Sequence, residues 1–200
     1  MRHSTGLPFN SLQAIEHAEA RWQLIHDGLS RFAGRPLSIN GEVYESASET
    51  NQQNRSIARL LQSYGRIYCD PAEAIDLYTR QCSLSVSATD LAVMGATLAD
   101  GGVNPLTGEQ VIAATTARYT LAVMTTAGLY ETSGDWLYDI GLPGKSGIGG
   151  GIVTVAPGKG GLGTFAPPLD DAGNSVRGQL AAAYLARSLG LDLFVSQPAT

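Results

Sequence analysis

Lysine is the scarcest chemical handle in this sequence. Eleven of its 13 basic residues are arginine, and the only lysines are Lys145 and Lys159. Any reaction that uses a side-chain amine must use one of these two. Both lie in a glycine-dense stretch, since 14 of the 24 glycines fall between Gly128 and Gly178. Lys145 opens the triplet Lys145-Ser146-Gly147. On an edge strand, alternation puts Lys145 and Gly147 on one face and Ser146 on the other. Glycine there lets a ligand approach the backbone, and an exposed N–H just after the triplet could bind a developing oxyanion. The competing reading of the same residues is a surface turn with a solvated lysine.

Two glycine motifs in this stretch do not carry phosphate chemistry. Gly144-Lys145-Ser146 looks like the end of a P-loop, but the motif needs a glycine five residues earlier, where Asp139 stands. Gly158-Lys159-Gly160-Gly161-Leu162-Gly163 matches GxGxxG. No helix follows it to hold a pyrophosphate, and a hairpin turn is the better reading.

Other chemistries find few candidates. His3, His17 and His26 all lie near the N-terminus, away from any strained serine motif, so a Ser-His-Asp triad is not expected. His17 and His26 read as surface residues of a helix. Cys69 and Cys82 read as reduced, half-buried thiols, and neither they nor the histidines have zinc spacing. No metal and no cofactor is expected. The net charge of -5 argues against nucleic-acid and anionic-membrane partners. No apolar run reaches the roughly 18 residues of a membrane span, and the first residues have no signal-peptide core; a cytoplasmic location is expected.

The elements that must position these residues are helical first and strand-like later. Two hundred residues make one domain or a large piece of one. Helices are expected over residues 11–31, 55–64 with Gly65 as the stop, from Asp70-Pro71 to near Cys82, from Ser87-Ala88-Thr89-Asp90 to the break at Gly101-Gly102, and over 115–127. Gly41 to Asn51 reads as a polar loop. Gly151–Ala156 has strand composition, Pro157–Gly161 is turn chemistry, and Leu162–Ala166 returns antiparallel. A last helix is capped by Asn174 or Ser175. Segregated helices and antiparallel strands indicate an α+β fold, mainly helical over 1–127, with the strands, hairpin and C-terminal helix over 128–200.

Several blocks together resemble the serine-dependent glutaminases, which hydrolyse L-glutamine to L-glutamate and ammonia. They are Gly128-Leu129-Tyr130, Gly141 through Ile152 around Lys145-Ser146-Gly147, and Leu169-Asp170-Asp171-Ala172-Gly173-Asn174-Ser175. Asn54-Arg55-Ser56, Tyr78 through Ser83, Leu98 through Pro105 and Ser4 through Ser11 fit as well. The resemblance implies a β-lactamase-like fold, an antiparallel sheet with a helical subdomain, and amide hydrolysis through an acyl-serine. It implies that Tyr130 relays the nucleophile's proton, that Asn54 and Tyr78 bind glutamine, and that the N–H of Ile148 serves the oxyanion hole. Lys145, Ser146 and Gly147 would support the cleft. A homo-oligomer binding L-glutamine and L-glutamate is the implied assembly.

The departures from that family are specific. Its nucleophile comes from Ser-x-x-Lys, yet Leu142 and Ala156 stand three residues before the two lysines. The family's Asn-Pro-Phe-Ile-Asn-Ala-Gly segment after Phe-Asn-Ser has no counterpart after Ser11. Ala47, flanked by Glu45 and Glu49, stands where the family has a glutamate for the substrate's amino group, and Gln53 replaces the usual arginine. The sequence therefore reads as an incomplete β-lactamase-like domain: the C-terminal portion of a glutaminase, with an internal deletion and no activity on its own. The alternative is a non-catalytic remnant that binds an amino acid or another subunit.

Overall fold

The computed structural model describes residues 18–195. The Ser4–Ser11 block, His3, His17 and the start of the first expected helix lie outside the described residues. The described residues divide into two compact units, one of residues 18–30 and 35–86, the other of 31–34 and 87–195. Among the described residues, no helix is long and apolar enough to cross a membrane.

The first unit is helical: α1 (Ala18–Ala33, whose end groups with the second unit), α2 (Gly41–Thr50), α3 (Gln52–Ser63) and α4 (Pro71–Cys82). Asp70 caps α4 by accepting from the N–H groups of Ala72 and Glu73, and Pro71 takes the first turn, where its missing N–H costs nothing. Arg21 pairs with Glu73, and Arg80 with Glu19, tying α1 to α4. Gly65, with φ of 64°, ends α3 in the left-handed region that an L side chain resists.

Three expectations for this unit are corrected. Residues 41–50 form a helix, not a loop. The Asn40 side chain caps it by accepting from Val43 N–H, and the Tyr44 hydroxyl donates to Asp76 Oδ1 at 2.5 Å. No residue of α2 is buried, so it has no apolar period to read. His26 is not a plain surface residue: it is half-buried, its Nε2 lies 2.8 Å from the Leu37 carbonyl, and its ring tilts against Trp22. Of the two thiols expected to be half-buried, Cys69 is partly buried but Cys82 is exposed; both are free.

The second unit holds α5 (Ala88–Ala99), α6 (Ala114–Ala127), a 3-10 turn (Tyr130–Thr132), α7 (Ser133–Ile140), β1 (Gly144–Ser146), β2 (Gly151–Ala156), β3 (Gly160–Phe165) and α8 (Val176–Ser188). Ser87 and Asp90 form a reciprocal capping box on α5. The strands make one antiparallel sheet in the order β1-β2-β3, so GxGxxG is indeed a hairpin turn running into a strand. One sheet face lies against α5 almost backbone to backbone. A Cβ on Gly163 would fall 2.0 Å from the Ala88 carbonyl oxygen, and one on Gly161 2.3 Å from the Ala96 nitrogen. The other face carries the core of Leu129, Trp136, Ile140, Leu142, Ile152, Ala156, Ala182 and Ala186. The α+β architecture agrees with the order of elements read from the sequence.

Candidate functional site

The site residues expected in the second unit are grouped around the junction of the 3-10 turn with β1. Gly128 makes that junction close: a Cβ there would sit 1.8 Å from the Gly144 carbonyl oxygen. With no side chain in the way, Ser146 N–H donates to the Gly128 carbonyl at 3.1 Å. This bond joins the segment leading to Tyr130 to the strand that carries Lys145.

Tyr130 has φ of 53°, and it is the one non-glycine residue in the left-handed region among the described residues. Such a conformation costs on the order of 1–2 kcal/mol for an L residue and persists only where the surroundings enforce it. Here Ser133 enforces it from below: its hydroxyl accepts from Leu129 N–H at 3.0 Å and donates to the Tyr130 carbonyl at 2.8 Å. Asn174, fully buried, donates from Nδ2 to Thr132 Oγ1 at 3.0 Å. The Tyr130 side chain is 42% exposed, and Lys145 Nζ lies 5.1 Å from its ring centroid, in cation–π range. Lys145 Nζ also donates to the Ser146 carbonyl.

Ile148 follows in the loop 147–150. Its side chain is exposed, and among the described residues its N–H has no hydrogen-bond partner, whereas Gly147 N–H donates to Gly151 and Gly150 N–H to Gly147. A Cβ on Gly173 would meet Ile148 Cγ2 at 3.5 Å and Tyr130 Cε2 at 3.9 Å, so these residues border one small region. Ser146 is not among them: it is buried on the opposite face of β1, and its hydroxyl has no partner among the described residues.

Below this region the loop 170–174 is stiffened by Asp170. Its carboxylate accepts from the N–H groups of Ala172 and Asn174 and from Gln179 Nε2. The Asn174 N–H bond is the main reason that its pKa is held below the usual 3.8; burial opposes this, and Gln179 and the Ala172 and Gly173 N–H groups add to it.

Asn54 and Tyr78 belong to the first unit. Asn54 Nδ2 donates to Asn51 Oδ1 at 2.6 Å, and Asn51 Nδ2 donates to Thr79 Oγ1 at 2.6 Å. Asn51 and Thr79 line a cavity of about 390 Å³ with Tyr44, Ser48, Arg55 and Asp76. Tyr78 is half exposed and lines a different cavity, of about 370 Å³, with Ile25, Arg66, Tyr68 and Cys69. Adjacent residues of α4 thus face separate cavities, and the structure does not gather Asn54 and Tyr78 around one of them. Burial pushes the Cys69 thiol up, with Glu73 and Asp70 adding to it and Arg21 opposing. That disfavours the thiolate a nucleophile needs. Asn174, Ser133 and Thr132 are the site-supporting residues that sequence reasoning missed; Asn174 stood there only as a candidate cap of the last helix, a role that Ser175 takes.

A glutaminase family model matches residues 2–194. The chain belongs to the glutaminase family. It is 64% identical over 223 residues to "Glutaminase 2" of Yersinia pestis, covering 99% of this chain and 66% of that protein. Because the match is longer than the chain's 200 residues, that glutaminase has residues inside the matched stretch with no counterpart here. The solved structure of a probable glutaminase, YbaS, is 51% identical with a TM-score of 0.89, over 91% of this chain and 59% of that one. Mglu in its glutamate form is 41% identical with a TM-score of 0.86, over 90% and 42%. A Bacillus subtilis glutaminase in covalent complex with 5-oxo-L-norleucine is 30% identical with a TM-score of 0.86, over 90% and 64%. The chain thus spans less than two thirds of the length of each of these glutaminases.

Proposed function

We propose that this chain supplies the tyrosine, the strand lysine and the oxyanion-binding amide of a glutaminase site, and that it binds L-glutamine and L-glutamate without turning glutamine over by itself. The observation that carries the proposal is Tyr130, held in a costly backbone conformation with its ring exposed beside Lys145.

In the complete reaction a serine hydroxyl attacks the side-chain carbonyl carbon of glutamine. The C–N bond breaks, ammonia leaves, and water then releases glutamate from the acyl-serine. The Tyr130 hydroxyl relays the proton: it accepts the serine's proton as it gives its own to the departing nitrogen. Lys145 fixes the ring's orientation from its face and adds positive charge to a site where negative charge develops. The N–H of Ile148 donates to the carbonyl oxygen as it becomes an oxyanion. Gly147 leaves room for the ligand. Ser146 supports the strand from its buried face.

No serine precedes Lys145 or Lys159 by three residues, so the pair that activates the nucleophile is not among these 200 residues. That observation also favours the second reading, a non-catalytic remnant that binds an amino acid or pairs with another subunit. The test is titration calorimetry with L-glutamine and L-glutamate beside an ammonia-release assay. Heat with either ligand, lost in Tyr130→Phe or Ile148→Pro, with no ammonia release, supports the proposal. Ammonia release abolished by Tyr130→Phe would overturn the claim of inactivity. No heat with either ligand from folded protein would leave the remnant only its subunit-pairing form.

A further inference from the structure

Thr154 is the one polar side chain on the core face of β2. Alternation puts it between Ile152 and Ala156, which both belong to the apolar core. It is 3% exposed, and its hydroxyl has no hydrogen-bond partner among the described residues. Native chains rarely leave a buried hydroxyl unpaired, and valine would fill nearly the same space without that cost. The hydroxyl does have an outlet. Thr154 lines a cavity of about 270 Å³ between the sheet and the end of α8.

Leu162, Leu185, Leu189 and Leu191 wall this cavity, and Lys159, on the turn between β2 and β3, stands at its exposed end. Lys159 is one of only two lysines in the chain, and the glutaminase reading has no part for it. Its Nζ donates to the Gly190 carbonyl at 3.3 Å, a long bond, and no carboxylate pairs with it among the described residues. None of these residues is among those proposed for the glutaminase site.

We propose that this cavity binds a medium-chain aliphatic carboxylate with a hydroxyl or oxo oxygen at its far end. The carboxylate pairs with Lys159, the chain lies along the four leucines, and the far oxygen accepts from the Thr154 hydroxyl. Charge selects the head: the one ionic group on the lining is a cation at the solvent end. The leucines select the body, since small-molecule sites are mostly apolar with a few placed polar groups. Thr154 selects the far end, because a plain alkyl terminus would leave its hydroxyl unpaired. Volume sets the length. A water's share of liquid volume is about 30 Å³, so the cavity takes roughly nine groups of that size, near a carboxylate of about eight carbons.

The test is calorimetry on the full chain with butanoate, hexanoate, octanoate, octanol and ω-hydroxyoctanoate. Affinity should rise about fourfold for each methylene buried. Octanoate should bind more tightly than octanol, and Lys159→Met should abolish that difference. In the parent, ω-hydroxyoctanoate should bind at least as tightly as octanoate. In Thr154→Val it should bind about tenfold more weakly than octanoate, because its hydroxyl is then buried unpaired. Lys159 is exposed, so Lys159→Met keeps the test decisive even if Thr154→Val fails to fold. Amide chemical shifts locate the ligand, and those of Thr154, Leu162 and Leu185 should move with octanoate. No binding of either acid would overturn the proposal. So would binding that both variants leave unchanged, which would be adsorption to exposed apolar residues elsewhere. A parent that binds ω-hydroxyoctanoate more weakly than octanoate would overturn it too.

Discussion

The Asn174 carboxamide lies 3.0 Å from the Thr132 hydroxyl, joining the segment before α8 to the turn that holds Tyr130 across 42 positions of sequence. Thr132 Oγ1 in turn donates to the Leu129 carbonyl at 2.9 Å. A fully buried side chain thus acts on an exposed one through the backbone between them. Asn174→Ala would remove the donor and leave the buried turn short of a partner. The expected loss is about 1–3 kcal/mol of stability, the usual cost of an unsatisfied buried group. Weaker L-glutamate binding should accompany it. Thermal melting reads the first and calorimetry the second; an unchanged melt would show that the bond does not hold the turn.

The seam between α5 and the sheet gives an opposed pair of glycine predictions. Gly163→Ala puts a methyl 2.0 Å from the Ala88 carbonyl oxygen, with no flexible side chain to yield. It should destabilise by about 1–3 kcal/mol through overpacking. Gly134→Ala, inside α7 with nothing within 4 Å of the added Cβ, should stabilise by about 0.5–1 kcal/mol. Urea midpoints of the two variants should therefore move in opposite directions.

Asp170 predicts an acid-sensitive end of the sheet. Its pKa is lowered in the folded chain, chiefly by the Asn174 N–H, so the unfolded chain binds the proton first. The stabilisation is complete above the ordinary value of 3.8, and is lost as pH falls through that value towards the lowered one. Asp170→Asn should flatten this part of the stability profile. Melts from pH 6 downward read it; a variant as acid-sensitive as the parent would refute the assignment.

Legibility in the sequence followed local chemistry. The start of α4 was readable because Asp70-Pro71 meets the cap and first-turn requirements within two residues. The start of α5 was readable because Ser87 and Asp90 close a capping box. The hairpin was readable from strand composition on either side of Pro157-Gly158. The helix α2 was not, because a helix that buries none of its residues has no apolar period. The helix α7 is only eight residues long and opens on Ser133-Gly134-Asp135, which reads as turn. Lys145 stood out by its rarity and its glycine-rich setting, Tyr130 only through motif resemblance. Their supports, Asn174 above all, act through bonds between distant segments, which no local pattern announces. Likewise, nothing in the sequence of α4 indicated that Tyr78 and Thr79 would turn to separate cavities.

The left-handed backbone at Tyr130 has an evolutionary reading. Glycine or asparagine would adopt that conformation at lower cost, so mutation unchecked by function would tend towards them. A tyrosine there runs against that local bias, so the residue that related chains carry at this position is the comparison that separates backbone preference from a need for the phenol.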